Sequence, residues 1–475
     1  MNLLRTVRLL VIASIAAAFG VSAAPASRGL RAGAATSNIT PPLGTSINGS
    51  MQNRLADHVH DELHARALVI DDGTNRLAFV VNDSCMIPRE VFDEAKRLAE
   101  QHTGIPAANM LMSATHTHSA PASGSVFQSN ADLPYRDFLA VRIADAIRRA
   151  NNNLAPARIG WGKGVVTNQV FNRRWFLKPG TPIKNPFGGD DQVKMNPGNQ
   201  NPALDRPSGP VDPEVWFVTV QSPEGRHLAL LADYSLHYVG GVNGISADYF
   251  GAFAARIGEL LGASRQDPPF VGIMANGASG NINNINFAAA REKHGNYEKI
   301  QIVANDVAQE VARVLPGVKL HDRLTVAAVQ REVRLGVRRP TAAEVVRAQE
   351  IAGRARNFPR MDTLDEIYAR ETLQMQDYPA EVSLVLQALR IGELAITAIP
   401  CEVFVEIGLE LKQRNPFPAS FTISLANGYN GYLPTPQHHA WGGYETWRAK
   451  SSYLEVEASD RITKELLEML LELRR

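Results

Sequence analysis

Cysteine is almost missing from this 475-residue sequence, with only Cys85 and Cys401 present. Two thiols cannot build a disulfide scaffold, and a chain of this length buries enough apolar surface to do without the one bridge they could form. Excess charge of either sign is also lacking: 49 basic against 48 acidic side chains leave a formal net charge of +1. A protein that tracks a phosphate backbone carries a basic excess, so nucleic acid is not an expected partner. Beyond the N-terminus, no apolar run approaches the roughly 20 residues that span a bilayer. The early run from Leu9 to Val21 follows Arg5 and Arg8 and precedes the small residues Val21-Ser22-Ala23-Ala24. That is the layout of a secretory signal peptide over residues 1–24, with an uncleaved anchor as the alternative. The mature chain, 28–475, is expected to be secreted or periplasmic. Internal repeats, low-complexity tracts and an obvious linker are absent, which leaves a single large mixed α/β domain with central sheets flanked by helices as the simplest fold.

What is present reads as alternating strands and helices. Glu62 to Ile70 and Arg76 to Asn82 form a hairpin around Asp71-Asp72-Gly73-Thr74, and a helix over Pro88 to Thr103 stops at Gly104. Further helices are expected at Tyr135–Asn151, Tyr249–Leu261, Tyr297–Leu315 and Ala342–Ala355, the last continuing as a solvent-facing helical insert to Met375. Trp216 to Val220 with His227 to Asp233, and Val382 to Ile391 with Leu394 to Ile399, read as two more hairpins, and a strand is expected near Phe270–Met274. Helices from about Val403 to Arg414 and from Ser459 to Arg474 close the chain. Asn185 to Pro210, rich in Asn, Pro, Gly and Asp, reads as an aperiodic lid.

The chemistry centres on Leu111-Met112-Ser113-Ala114-Thr115-His116-Thr117-His118-Ser119-Ala120-Pro121. An apolar run that ends in small and hydroxylated residues reads as a buried strand leaving a sheet. In a strand, the spacing of two puts His116 and His118 on one face. Such a pair can hold a divalent metal, or one ring can hold it while the other moves protons. Two more strands end in ligand-capable groups, at His237 and at Glu402. Two imidazoles and a carboxylate suit zinc, and a catalytic zinc keeps a place for water. Each also has a plainer use: His237 as a buried ring bonded to backbone, Glu402 as the cap of the helix that follows.

Taken together, these residues resemble the neutral/alkaline non-lysosomal ceramidases. The likeness runs through Thr115 to Pro121, Asn172-Arg173, His237, Ile245 to Asp248, Asn276 to Asn281, Pro400 to Glu402 and Asn427 to Tyr432, in order over about residues 29 to 460. The resemblance implies a neutral-ceramidase-like fold and a Zn2+ held by His116, His237, Glu402 and Tyr429. It implies His118 as general base and then acid, and Arg173 as the charge that meets the substrate's oxygen, with a tyrosine from Tyr432 or Tyr444 beside it. Ser279 matches a serine of the family's Gly-Asp-Val-Ser-Pro-Asn hexapeptide, for which a substrate-binding or structural role is expected. Asp248 is expected either to orient a ligand histidine or to cap the following helix.

Three departures stand out. Gly277 and Gly280 replace the hexapeptide's acidic residue and proline, which predicts a more flexible loop. Pro436 to Gly443 replaces a Glu-rich stretch and brings in His438 and His439, for which a part in the site is one expectation and a place at the surface the commoner one. The chain is expected to lack the immunoglobulin-like C-terminal domain of typical ceramidases. The activity expected is hydrolysis of a C–N amide bond, N-acylsphingosine giving sphingosine and fatty acid. The alternatives are a different amide, ester or glycan-derived substrate at the same zinc site, or an inactive lipid- or glycan-binding protein. Expected partners are a small-molecule or lipid substrate, ceramide-like or polar, with peripheral membrane contact left open and no obligate protein partner.

Overall fold

The computed structural model describes residues 29–240 and 244–475; the expected signal peptide lies outside them. One order of elements recurs three times: strand, hairpin, helix, strand, helix. The first unit runs through Arg31–Asn38, the hairpin His64–Asp71 and Arg76–Asn82, the helix Arg89–Thr103, the strand Met110–Ala114 and the helix Leu133–Asn152. The second has Arg158–Val165, Glu214–Gln221 and His227–Tyr234, Asp248–Leu260, Val271–Asn276 and Glu298–Val314. The third has Val326–Gly336, Glu381–Ile391 and Leu394–Ala398, Val405–Arg414, Ala419–Ile423 and Ala458–Arg474. Sheet order is conserved among the three. The opening strand pairs antiparallel with the first hairpin strand, and the hairpin pairs with itself. The last strand lies parallel to the second hairpin strand. The sequence carries no trace of this repetition, because the units share topology and not residues.

Two parallel strands joined through a helix leave the sheet at the same edge. Each unit therefore delivers two chain segments to one edge, and the units are joined there. The Asn276 side chain donates to Thr115 O at 3.0 Å, Ser424 N–H to Asn276 O at 2.9 Å and Asn427 N–H to Met112 O at 2.7 Å. Behind this junction, Val81, Leu111, Val218, Ile273, Leu389 and Phe421 meet in one core shared by all three sheets. Helix pairs cover the opposite faces, as Phe92 and Ile143 do for the first sheet. Strands buried on both faces lose the polar alternation of a half-exposed strand. Within His64–Asp71, Leu68 and Ile70 turn to the shared core while Ala65, Ala67 and Val69 turn to the helices. Each such aliphatic side chain, fully buried, contributes about 1.5–3 kcal/mol relative to exposure.

Three expectations change. Residues 185–210 are not aperiodic: Val193–Met195 and Leu204–Pro207 flank Arg174–Leu177 in a small sheet. The insert in the third unit forms the helices Ala342–Gly353 and Leu364–Gln374, each opened by a capping box, Thr341 with Glu344 and Thr363 with Glu366. It is not merely solvent-facing, since Tyr368 is buried edge-on to Phe127, Phe187 and Trp447. The loop Asn276 to Asn281 is buried, not loose. A Cβ on Gly277 would lie 2.8 Å from Ser235 Oγ, and one on Gly280 would lie 2.6 Å from Glu402 O. Glycine serves close approach here.

Candidate metal centre

The strand Met110–Ala114 ends before the two histidines, and His116 adopts a left-handed backbone with φ of 74°. Strand alternation is therefore not what brings them together. The turn does so instead, leaving Nε2 of His118 3.1 Å from Nε2 of His116. A non-glycine residue in this region costs on the order of 1–3 kcal/mol, and such strain tends to collect at functional sites. Nδ1 of His116 donates to Cys85 O at 2.7 Å, which turns the lone pair of Nε2 towards Glu402, whose Oε2 is 3.1 Å away. His237 donates from Nδ1 to Ser279 O at 3.2 Å. Its Nε2 and Glu402 Oε2 are buried without hydrogen-bond partners. His116, His237 and Glu402 come from three different units, yet their ligand atoms lie within 4.8 Å of one another.

Buried acceptors with no donor are costly, and a cation among them removes the cost. Burial alone would lower the pKa of His116, but its interactions with Glu402 and Cys85 together outweigh burial and raise the ring well above its ordinary range. The place that would stabilise a proton between His116 and Glu402 would equally stabilise a metal ion. Burial, with Arg173 and His116 nearby, holds His237 well below the ordinary histidine range. Burial and His116 do the same to His118. Both rings are neutral, as metal ligands and bases must be. The residues present thus fit a divalent metal with nitrogen and oxygen ligands.

The other expected residues fall around this cluster. Tyr429 donates to Glu402 Oε1 at 2.9 Å, whereas Tyr432 accepts from Arg173 Nη2 at 3.1 Å, which separates the two tyrosines by partner. Burial lifts both phenols well above their ordinary range. Arg173 also donates to Gly280 O and pairs through Nε with Glu445 at 2.9 Å. Ser279 turns its hydroxyl to Asn276 Oδ1 at 2.7 Å and meets His237 only through its carbonyl. Asp248 accepts from the amides of Val239 and Gly240 and so holds the loop behind His237; the residue before the helix is Ala247. Glu402 starts a two-residue strand, and Phe404 precedes the helix, so Glu402 is not its cap. His438 is buried but faces Glu406, away from the centre.

Three contributors escaped the sequence reading. Tyr238 stacks on His118 with ring centroids 3.6 Å apart. Cys85 holds His116 through its carbonyl. Glu445, wholly buried, pairs with both Arg173 and Arg174. The neighbouring arginines were the available signal, because two buried guanidiniums require a carboxylate. A cavity of about 90 Å³ opens on the cluster, lined by the apolar Met51, Met86, Val126 and Phe127 and by Tyr432 and Tyr444. A larger groove of about 570 Å³ lies elsewhere, by His60, Asp61 and Arg256. Among the described residues it contains no metal-ligating cluster, and the chemistry belongs to the smaller cavity.

Fold and site together define a mixed α/β protein with a buried histidine–carboxylate centre suited to a divalent cation. The family model described as neutral/alkaline non-lysosomal ceramidase, N-terminal, matches residues 31–301, and the chain belongs to that family. Neutral ceramidase A of Dictyostelium discoideum is 28% identical over 208 residues, covering 42% of this chain and 27% of the relative. Neutral ceramidase B of the same organism is 31% identical over 148 residues, 29% of this chain and 21% of the relative. The matched segments thus span about a quarter of these relatives. The crystal structure of neutral ceramidase from Pseudomonas aeruginosa superposes with a TM-score of 0.70 at 18% identity, over 94% of this chain and 74% of that one, a likeness of fold.

Proposed function

We propose that this chain is a zinc-dependent amide hydrolase that splits an N-acylsphingosine into sphingosine and fatty acid. The observation that carries the reading is the meeting of His116, His237 and Glu402, two of them with orphaned buried atoms, beside a neutral His118. Tyr429, bonded to Glu402, completes the proposed ligand set. When bound, zinc supplies a Lewis acid that polarises a carbonyl and makes water nucleophilic near neutral pH. His118 takes the proton of the attacking water at Nε2 and returns it to the departing nitrogen, so the C–N bond is replaced by an acid and an amine. Arg173, fixed by Glu445, Gly280 and Tyr432, offers a charge that needs no rearrangement where the carbonyl oxygen becomes negative. Ser279 acts through structure, orienting His237. Residues 1–24 serve as a signal peptide, which sends the domain at 28–475 to the periplasm or the exterior. Among the described residues no helix is long and apolar enough to cross a membrane.

A second reading keeps the centre and changes the substrate. A cavity of about 90 Å³ is small beside the roughly 300–1,000 Å³ of usual ligand pockets, which favours a compact amide or ester. Both readings are tested by incubating the zinc-loaded protein with ceramides of graded acyl length and with small amides and esters, each with a chelated control. Chelator-sensitive release of sphingoid base is the expected result. Release only from the small compounds would replace ceramide with the second reading.

A further inference from the structure

Two of the three units supply their ligands from equivalent places, and the first unit supplies His116 from another, after its parallel strand. His237 lies three residues past the end of the second hairpin strand of its unit, and Glu402 four residues past the end of the corresponding strand in the third. In the first unit, the place three residues past Asn82 belongs to Cys85. Cys85 is fully buried and free of any disulfide. It lines the same cavity as His116, His118 and Glu402. Its Sγ stands 3.8 Å from His116 Nδ1, which donates to Cys85 O, so Nε2 is the nitrogen of His116 left for a cation in either set. The ligand atoms of Cys85, His116 and His118 lie within 4.8 Å of one another, the same spread as in the set of His116, His237 and Glu402.

A buried thiol is by default an inert small apolar group. Cys401 fits that default, because it sits in the apolar cluster of the third unit and burial pushes its thiol up. Cys85 differs: it sits where the apolar wall of Met86, Val126 and Phe127 meets the two imidazoles of His116 and His118. His116 belongs to both sets of ligands, so the two positions are alternatives. Zinc, of borderline softness, accepts nitrogen, oxygen and sulfur, and a thiolate in the set adds affinity for softer cations.

We propose that Cys85, His116 and His118 form a second, overlapping metal position that takes a thiophilic divalent cation such as cadmium. Binding forms a sulfur–metal bond, the thiol proton leaves to solvent, and Nε2 of His118 becomes a ligand instead of a base. This inference rests on the metal-centre reading above and adds a soft-metal alternative to it. The test is titration of the metal-free full-length protein with cadmium, read by sulfur-to-cadmium charge-transfer absorption and by equilibrium dialysis. The band is expected in the wild type and in Cys401→Ser and lost in Cys85→Ser, which still binds cadmium through the remaining ligands. Circular dichroism checks the fold, and Cys85→Ala gives a second variant. Cadmium bound by the wild type without the band, or a band that survives in both Cys85 variants, overturns the inference and leaves the zinc centre standing. A protein that binds neither cadmium nor zinc overturns both.

Discussion

At His118, burial and the ring of His116 keep the side chain neutral, Tyr238 stacks on it, and Gly49 lets it lie flat. With φ of 97°, Gly49 would place a Cβ 2.3 Å from the ring's Cγ, so only glycine is accommodated. His118→Ala is expected to keep zinc and lose turnover by about 10²–10⁴-fold, measured as kcat beside zinc content. Normal turnover would remove His118 from proton transfer. Glu445 is the other decisive residue. Burial alone would raise its carboxyl, but Arg174 and Arg173 outweigh burial and hold it below its ordinary 4.5. A depressed folded value means that its stabilisation is complete above about pH 4.5 and is lost as the pH falls through the lowered value. Glu445→Gln leaves two buried guanidiniums without their carboxylate and should cost about 3–5 kcal/mol in urea denaturation at neutral pH. It should also flatten the acid limb of the stability profile; an unchanged midpoint would contradict the account.

Among elements, the helices and hairpins were the most legible. Their apolar spacing, Gly104 after the first helix and the Asp-Gly turn are local signals, and the structure keeps them within a residue or two. The strands Arg158–Val165, Val326–Gly336 and Ala419–Ile423 were not read. The first carries Gly160, Gly162 and Gly164, which look like loop in sequence but admit the close approach of Lys319 O, Phe217 and Glu310. The turn at His116 could not be foreseen either, because its left-handed residue is a histidine. The contact of the Asn276 to Asn281 loop with Glu402 gives a test at this scale. Gly280→Ala would press on the carbonyls of Glu402 and Val403 and shift the ligand. Zinc affinity, measured by competition with a chromophoric chelator, should fall about 10–100-fold, the usual effect of disturbing a group that orients a ligand. Unchanged affinity would mean that Glu402 is not positioned through this contact.

Across the whole molecule, the three units converge on one edge and share one core, so the centre exists only when all three are folded together. The sequence named His116, His118, His237 and Glu402 because each follows an apolar run with a polar ending. It could not disclose that the runs before His237 and Glu402 occupy equivalent places in two units while the run before His116 is the parallel strand of another, since that equivalence lies in strand pairing. Residues held from a distance, such as Glu445 on Arg173 or Cys85 on His116, were hidden for the same reason. The most direct measurement of the central claim is tightly bound zinc per chain in the wild type and in His116→Ala, His237→Ala and Glu402→Ala, one ligand from each unit. Retention by the folded wild type and loss in all three folded variants is the predicted result; zinc held equally by the wild type and all three variants would contradict a centre built jointly by the three units.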